Sequence, residues 1–147
     1  MARLNILKEP NPMLRKIAKP VTEFTPRIFE LLDDMTETMT IANGVGLAAT
    51  QVGILYRMAV LSTKEYGILE VLNPIITAAA RNKIGMEACL SVPNVNGKVR
   101  RPHLLTIEYC DRTGNKKEIT LQGPDAVVAC HEIDHLDGIL FTDKIVK

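Results

Sequence analysis

Residues 131–135 read His-Glu-Ile-Asp-His. On a helix, positions i and i+4 share one face, so His131 and His135 can aim two imidazole nitrogens at one point. Glu132 lies beside them, placed to take a proton from water. That is the mechanical content of the H-E-x-x-H signature of metal-dependent hydrolases. Only twelve residues follow His135, LDGILFTDKIVK, and they contain neither His nor Glu. Gly138 falls where a metzincin has its glycine, but Phe141 stands where the third histidine of that pattern belongs. Asp137 and Asp143 read as polar surface near the helix end. The motif therefore constrains the fold: a helix close to the end of the chain must pack against an upstream segment that supplies a third ligand.

The upstream candidates are His103, the three cysteines and several carboxylates. Cys130 adjoins His131, so on a helix it projects about 100° away and reads as a small core residue. Cys110 borders a hairpin turn with no polar cluster around it. His103 follows Pro102 at a strand start and reads as surface. Cys89 lies in GMEACLSVPN, where Glu87, Cys89 and Ser91 bring a carboxylate, a thiol and a hydroxyl together. A thiolate and two imidazoles suit a divalent transition metal and leave one position for water. Spacing alone does not separate Cys89 from its rivals. A second unusual stretch is NGVGLAATQVG, residues 43–53. It lacks the G-K-[ST] of a phosphate loop and by itself reads as a tight turn between helix and sheet. Gln51 within it carries both a hydrogen-bond donor and an acceptor.

Residues 11–18 read as a short helix with Asn11 as cap and Pro12 at its first position. A longer helix follows Thr25-Pro26, with Ile28, Leu31, Leu32, Met35, Met39 and Ile41 at near-helical spacing and Asn43-Gly44 as its stop. RMAVLS (57–62) and LEVLNPII (69–76) read as strands. Residues 103–123 read as a hairpin turning at 111–115. A final helix is expected from Pro124 to Leu136, with Gly138 as exit. The expected class is α+β: antiparallel strands packed around a C-terminal helix carrying the motif, with a long N-terminal helix. The expected organisation is a single catalytic domain over residues 1–147.

Composition narrows the setting. With 18 Lys+Arg against 17 Asp+Glu, the net charge of +1 gives no electrostatic signal for nucleic acid or an anionic membrane. Hydrophobic residues at 46% and charged ones at 24% suit a globular chain, and no apolar run nears the roughly 20 residues of a membrane span. MARLNILKEPNP has no signal- or transit-peptide pattern. Three cysteines, an odd number, fit a reducing, cytoplasmic setting.

Together the three stretches resemble the peptide deformylase family. Gly44 to Gln51 follow the G-x-G-L-A-A-x-Q motif. Glu87-Ala88-Cys89-Leu90-Ser91 follow E-G-C-L-S, and Cys130-His131-Glu132-Ile133-Asp134-His135 follow Q-H-E-x-D-H. The similarity extends through EPNPMLRKIAKPV and VRRPHLLTIEYCDRTG to essentially the whole chain. The resemblance implies Cys89, His131 and His135 as ligands of one divalent metal ion, Fe²⁺ in the cell, with Zn²⁺, Ni²⁺ or Co²⁺ accepted. It implies hydrolysis of the N-formyl group of the initiator formyl-methionine of nascent polypeptides, releasing formate, with Glu132 moving the proton. Gln51 and the Leu90 N–H would stabilise the developing oxyanion. Val45, Gly46, Val127 and Val128 would receive the methionine side chain. Glu87 would pair with Arg101, and Asp134 would orient a histidine or nearby backbone. Two departures stand out: Ala88 for Gly beside the thiol ligand, and Cys130 for Gln beside the first histidine. Other readings are another metal-dependent amidase or peptidase on the same scaffold, and a metal-binding protein without catalysis. The intact Glu132 argues against the last. A monomer is the default expectation. Nascent chains place the substrate at the ribosome, though no basic segment argues for a direct contact.

Overall fold

The computed structural model describes residues 3–147. The described amino-terminal residues run mostly irregular into a single 3₁₀ turn, Pro12–Arg15, capped by the Asn11 side chain on the Met13 N–H. The first α-helix, α1, begins only at Pro26 and spans Pro26–Ile41, 16 residues. The long N-terminal helix expected from sequence is thus corrected: the first helical element is one short turn. Pro10, Pro12 and Pro20 each lack a backbone N–H and break any longer helical run before α1. Within α1, Ile28, Leu31, Leu32, Met35 and Met39 are buried. Ile41 is 47% exposed because it falls off that stripe. Asn43, in the left-handed region at φ 59, ends the run.

Among the described residues, five strands form one antiparallel sheet in the order β1 (Gly46–Ala48), β2 (Met58–Thr63), β3 (Gly67–Cys89), β4 (Val92–Cys110), β5 (Lys116–Gln122). The second helix, α2, spans Pro124–Leu136, as its pattern predicted. In β2, Met58 and Val60 join the core with α1, whereas Ala59 and Leu61 join the core with α2. The two helices therefore cover opposite faces, which is why MAVL is apolar without alternation.

β3 and β4 are much longer than the sequence pattern suggested. β2 pairs with β3 only as far as Leu72. Asn73-Pro74 is an irregularity rather than an end. Asn73 has φ 52, and its side chain accepts from Val21 N at 2.7 Å and donates to Val21 O at 2.9 Å. Beyond it β3 runs paired to β4 alone, and residues 75–86 are exposed throughout. Such a strand has no buried face to impose a period of two. It ends at Cys89, and a two-residue turn, Leu90-Ser91, leads back into β4.

α2 is fixed at both ends. Asp125 accepts from the N–H groups of Lys64 and Glu65 at 2.8 and 3.2 Å, tying the first turn to the β2–β3 connection. At the other end, Ile139 N–H donates to Asp134 O and Gly138 N–H to His135 O, a Schellman closure with Gly138 at φ 73. Ala126, Ala129, Cys130, Ile133 and Leu136 pack on the sheet.

Candidate metal centre

α2 presents His131, Glu132 and His135 from its buried turns, and the end of β3 brings Cys89 to them. The ligand atoms of Cys89, His131 and His135 lie within 4.8 Å of one another, the one such group of three among the described residues. Cys89 Sγ is 3.3 Å from His135 Nε2. His103 lines the adjoining cleft but is not in this group. Cys110 lies apart, against the α1 core.

The first histidine is oriented from behind. His131 Nδ1 lies 2.9 Å from Glu87 Oε1. Arg101 holds the same carboxylate with two bonds, Nε to Oε2 at 2.8 Å and Nη2 to Oε1 at 3.1 Å. Nη1 of Arg101 donates to Asp134 Oδ2 at 2.5 Å. The expected Glu87–Arg101 pair is present. The group at His131, however, is Glu87, and the partners of Asp134 are Arg101 and Lys144. Asp134 lies three residues along the helix from His131, where its carboxylate meets Arg101 across to β4 instead of an imidazole.

Gln51 sits on the 3₁₀ turn Ala49–Val52. Its Oε1 accepts from Ala48 N–H at 2.9 Å, and its Nε2 donates to Ser91 Oγ at 3.1 Å and lies 3.8 Å from Cys89 Sγ. Thr50 Oγ1 donates to His135 O at 3.1 Å. Sequence reasoning missed Thr50 and the ring of Phe141, which stacks on His131 with centroids 6.0 Å apart. The Ser91 hydroxyl noted beside Cys89 meets Gln51 rather than the ligand group; Phe141 carried no signal beyond its position.

The small-residue stretch is a close approach between backbone and α2. A Cβ on Gly46 would lie 2.6 Å from Glu132 Oε2 and 2.9 Å from Val128 Cγ1. Ala88 is not among the non-glycine residues with positive φ, which are Asn43, Asn73, Arg81 and Asn94. Its strand backbone is open to any L-residue, so alanine in place of glycine carries no backbone strain there. Cys130, 6% exposed, packs in the sheet core and is not in the ligand group.

Burial lifts the Glu132 carboxyl to about 7, with His131 and Arg101 pulling the other way and Glu87 adding to the rise. Burial drives His135 down to about 3, with His131 reinforcing it, so its imidazole is neutral at pH 7. For His131 burial opposes the charge, but Cys89, Glu132 and Glu87 outweigh it and raise the group to about 10. The surroundings that favour a proton on His131 equally favour a cation beside it. Burial also opposes charge on Glu87, yet His131 and Arg101 hold it down at about 2.

The centre opens into a cleft of about 530 Å³ lined by Val45, Gly46, Leu90, Val127 and Val128, with Gly85 and Met86 on the β3 wall. A buried carboxylate beside two imidazoles and a thiol, at the floor of an open cleft, defines a metal-dependent hydrolase. Known proteins narrow that class. The family model described as polypeptide deformylase matches residues 3–147. A peptide deformylase of Caldanaerobacter subterraneus subsp. tengcongensis is 50% identical over 147 residues, covering all of this chain and 92% of its own length. One from Acetivibrio thermocellus is 48% identical, covering all of this chain and 86% of its own. The crystal structure of peptide deformylase from Thermotoga maritima superposes with a TM-score of 0.97 at 36% identity, covering 100% of both chains. The chain belongs to the polypeptide deformylase family.

Proposed function

We propose that the chain removes the N-formyl group from the initiator formyl-methionine of nascent polypeptides, releasing formate, with Cys89, His131 and His135 holding one divalent metal ion. The observation that carries this site is the convergence of three donor atoms within 4.8 Å. Beside them Glu132 Oε1 is buried with no hydrogen-bond partner among the described residues. One thiolate and two imidazoles fit Fe²⁺, Zn²⁺, Ni²⁺ or Co²⁺; we take Fe²⁺ as the ion in the cell. When bound, such an ion acts as a Lewis acid that acidifies water and polarises a carbonyl.

The residues of the chain do the rest. Glu132 accepts a proton as the water oxygen bonds to the formyl carbon. It returns that proton to the amine nitrogen as the C–N bond breaks, so formate leaves and the free amine remains. The Gln51 amide and the Leu90 N–H stabilise the charge that grows on the formyl oxygen. Val45, Gly46, Val127 and Val128 receive the methionine side chain. Glu87, Arg101 and Asp134 keep the ligand-bearing strand and helix in register. The catalytic unit is residues 1–147 as a single domain, acting as a cytoplasmic monomer on chains emerging from the ribosome.

The test is formate release from a formyl-Met peptide by protein loaded anaerobically with Fe²⁺, Ni²⁺ or Zn²⁺. Turnover with iron or nickel is expected. Glu132→Ala should keep one ion per chain and lose about 10²–10⁴ in kcat. A variant that keeps most of its turnover removes Glu132 from the proton path. A parent chain inactive with every ion, while holding one per chain, overturns the proposed site.

A further inference from the structure

Two routes connect the carboxy-terminal turn to the first histidine. Phe141–Lys144 form a 3₁₀ turn after α2. The fully buried Phe141 ring stacks on the His131 imidazole at 6.0 Å with 24° between planes. The second route is polar. Lys144 Nζ lies 3.0 Å from Asp134 Oδ2. The same oxygen accepts from Arg101, Arg101 grips Glu87 with two bonds, and Glu87 Oε1 meets His131 Nδ1. An unbroken series of contacts therefore runs from a half-exposed ammonium to a ring nitrogen. The turn is anchored independently of His131. Leu140 N–H donates to Asp143 Oδ2 at 3.1 Å, Arg15 Nη2 donates to Asp143 Oδ1 at 3.1 Å, and Val146 N–H donates to Lys98 O at 2.8 Å. It is a fixed reference against which the ring can be held.

We propose that Phe141 and Lys144 are positioning residues for His131, Phe141 through its face and Lys144 through Asp134, Arg101 and Glu87. The inference rests on the reading of His131 as a metal ligand. Side chains that orient a ligating histidine govern how tightly the ion is kept, by about 10–100-fold. Phe141 restricts tilt of the ring; the polar series restricts its rotation.

The experiment follows nickel loss from the loaded protein into excess EDTA, alongside the absorption spectrum of the cobalt-loaded form. Phe141→Leu should lose nickel about ten times faster than the parent and shift the cobalt bands. Lys144→Met should speed the loss about two- to five-fold in dilute buffer, and the difference should vanish in 1 M NaCl, since an exposed ammonium is screened. Leu32→Ala is the control. Leu32 is fully buried in the separate cluster under α1, so its loss lowers stability at least as much but should leave nickel loss within about two-fold of the parent. Parental nickel loss from both Phe141→Leu and Lys144→Met overturns the proposal, as does equal acceleration by Leu32→Ala. A parent chain that binds no nickel overturns the metal assignment itself.

Discussion

Alanine at position 46 isolates the geometry of Glu132, the proposed proton acceptor. Gly46 pairs with Leu61 in an ordinary strand, with no positive φ to strain. The added methyl would meet Glu132 Oε2 at 2.6 Å, Glu132 Cγ at 2.8 Å and Val128 Cγ1 at 2.9 Å. Restoring ordinary van der Waals contact of about 3.4 Å requires Glu132 or β1 to yield by about 0.8 Å, and a misplacement near 1 Å costs about 10²-fold in rate. Gly46→Ala should therefore lower kcat/KM for a formyl-Met peptide by about two orders of magnitude, or about 2.7 kcal/mol of activation free energy. The overpacking should remove about 1–3 kcal/mol of stability. Formate release, metal content and urea denaturation are measured on the same preparation. Gly44→Ala is the comparison. Its methyl would meet the flexible end of Leu90 at 2.8 Å, which can swing away, so the loss should be at least ten times smaller. Gly46→Ala with full metal content and kcat/KM within about three-fold of the parent would refute the placement of Glu132 against β1.

Two further perturbations bear on the frame around the site. Gly138→Ala places a side chain at φ 73 with its Cβ 2.4 Å from Arg15 O; stability in urea should fall by at least about 2 kcal/mol, and a loss under about 0.5 kcal/mol would contradict the tight packing of that exit. Burial pushes the Cys130 thiol up to about 11, with the carboxylates of Asp134 and Glu87 adding to it against Arg101 and Lys144. In the metal-loaded native protein, iodoacetamide should label Cys110 and spare Cys130 until the chain unfolds, and prompt native labelling of Cys130 would place it outside the core.

What the sequence made legible is what local pattern controls. The last helix carried its own start, stop and motif: Pro124, Gly138 and the paired histidines fall where the pattern put them. The hairpin closing at 111–115 was legible because Asp111 organises the turn, its Oδ1 accepting from the N–H groups of Thr113 and Asn115 at 3.0 Å each. The exposed half of β3 was not, because strand pairing without burial leaves no periodicity. Nor were long-range partners. Nothing near Glu87 marks it as the group 2.9 Å from a histidine 44 residues away, and nothing near Phe141 marks it as a lid on the same ring.

That Glu87 contact also explains how the three proposed ligands are kept in register. Two of the proposed ligands, His131 and His135, come from one helix and need only its 3.6-residue repeat. The third comes from a strand with a long exposed edge, whose own packing is weak. Glu87, two residues before Cys89, bonds at once to Arg101 on β4 and to His131 on α2. One buried carboxylate thus sets the strand, its neighbour and the helix relative to one another. The same carboxylate supplies the charge that Arg101 and His131 need in order to be buried. Breaking a buried pair from one side leaves an uncompensated charge. The placement of the Cys89 thiol and the stability of this corner therefore depend on the same three side chains, Glu87, Arg101 and His131, and neither Ala88 nor Cys130 is one of them.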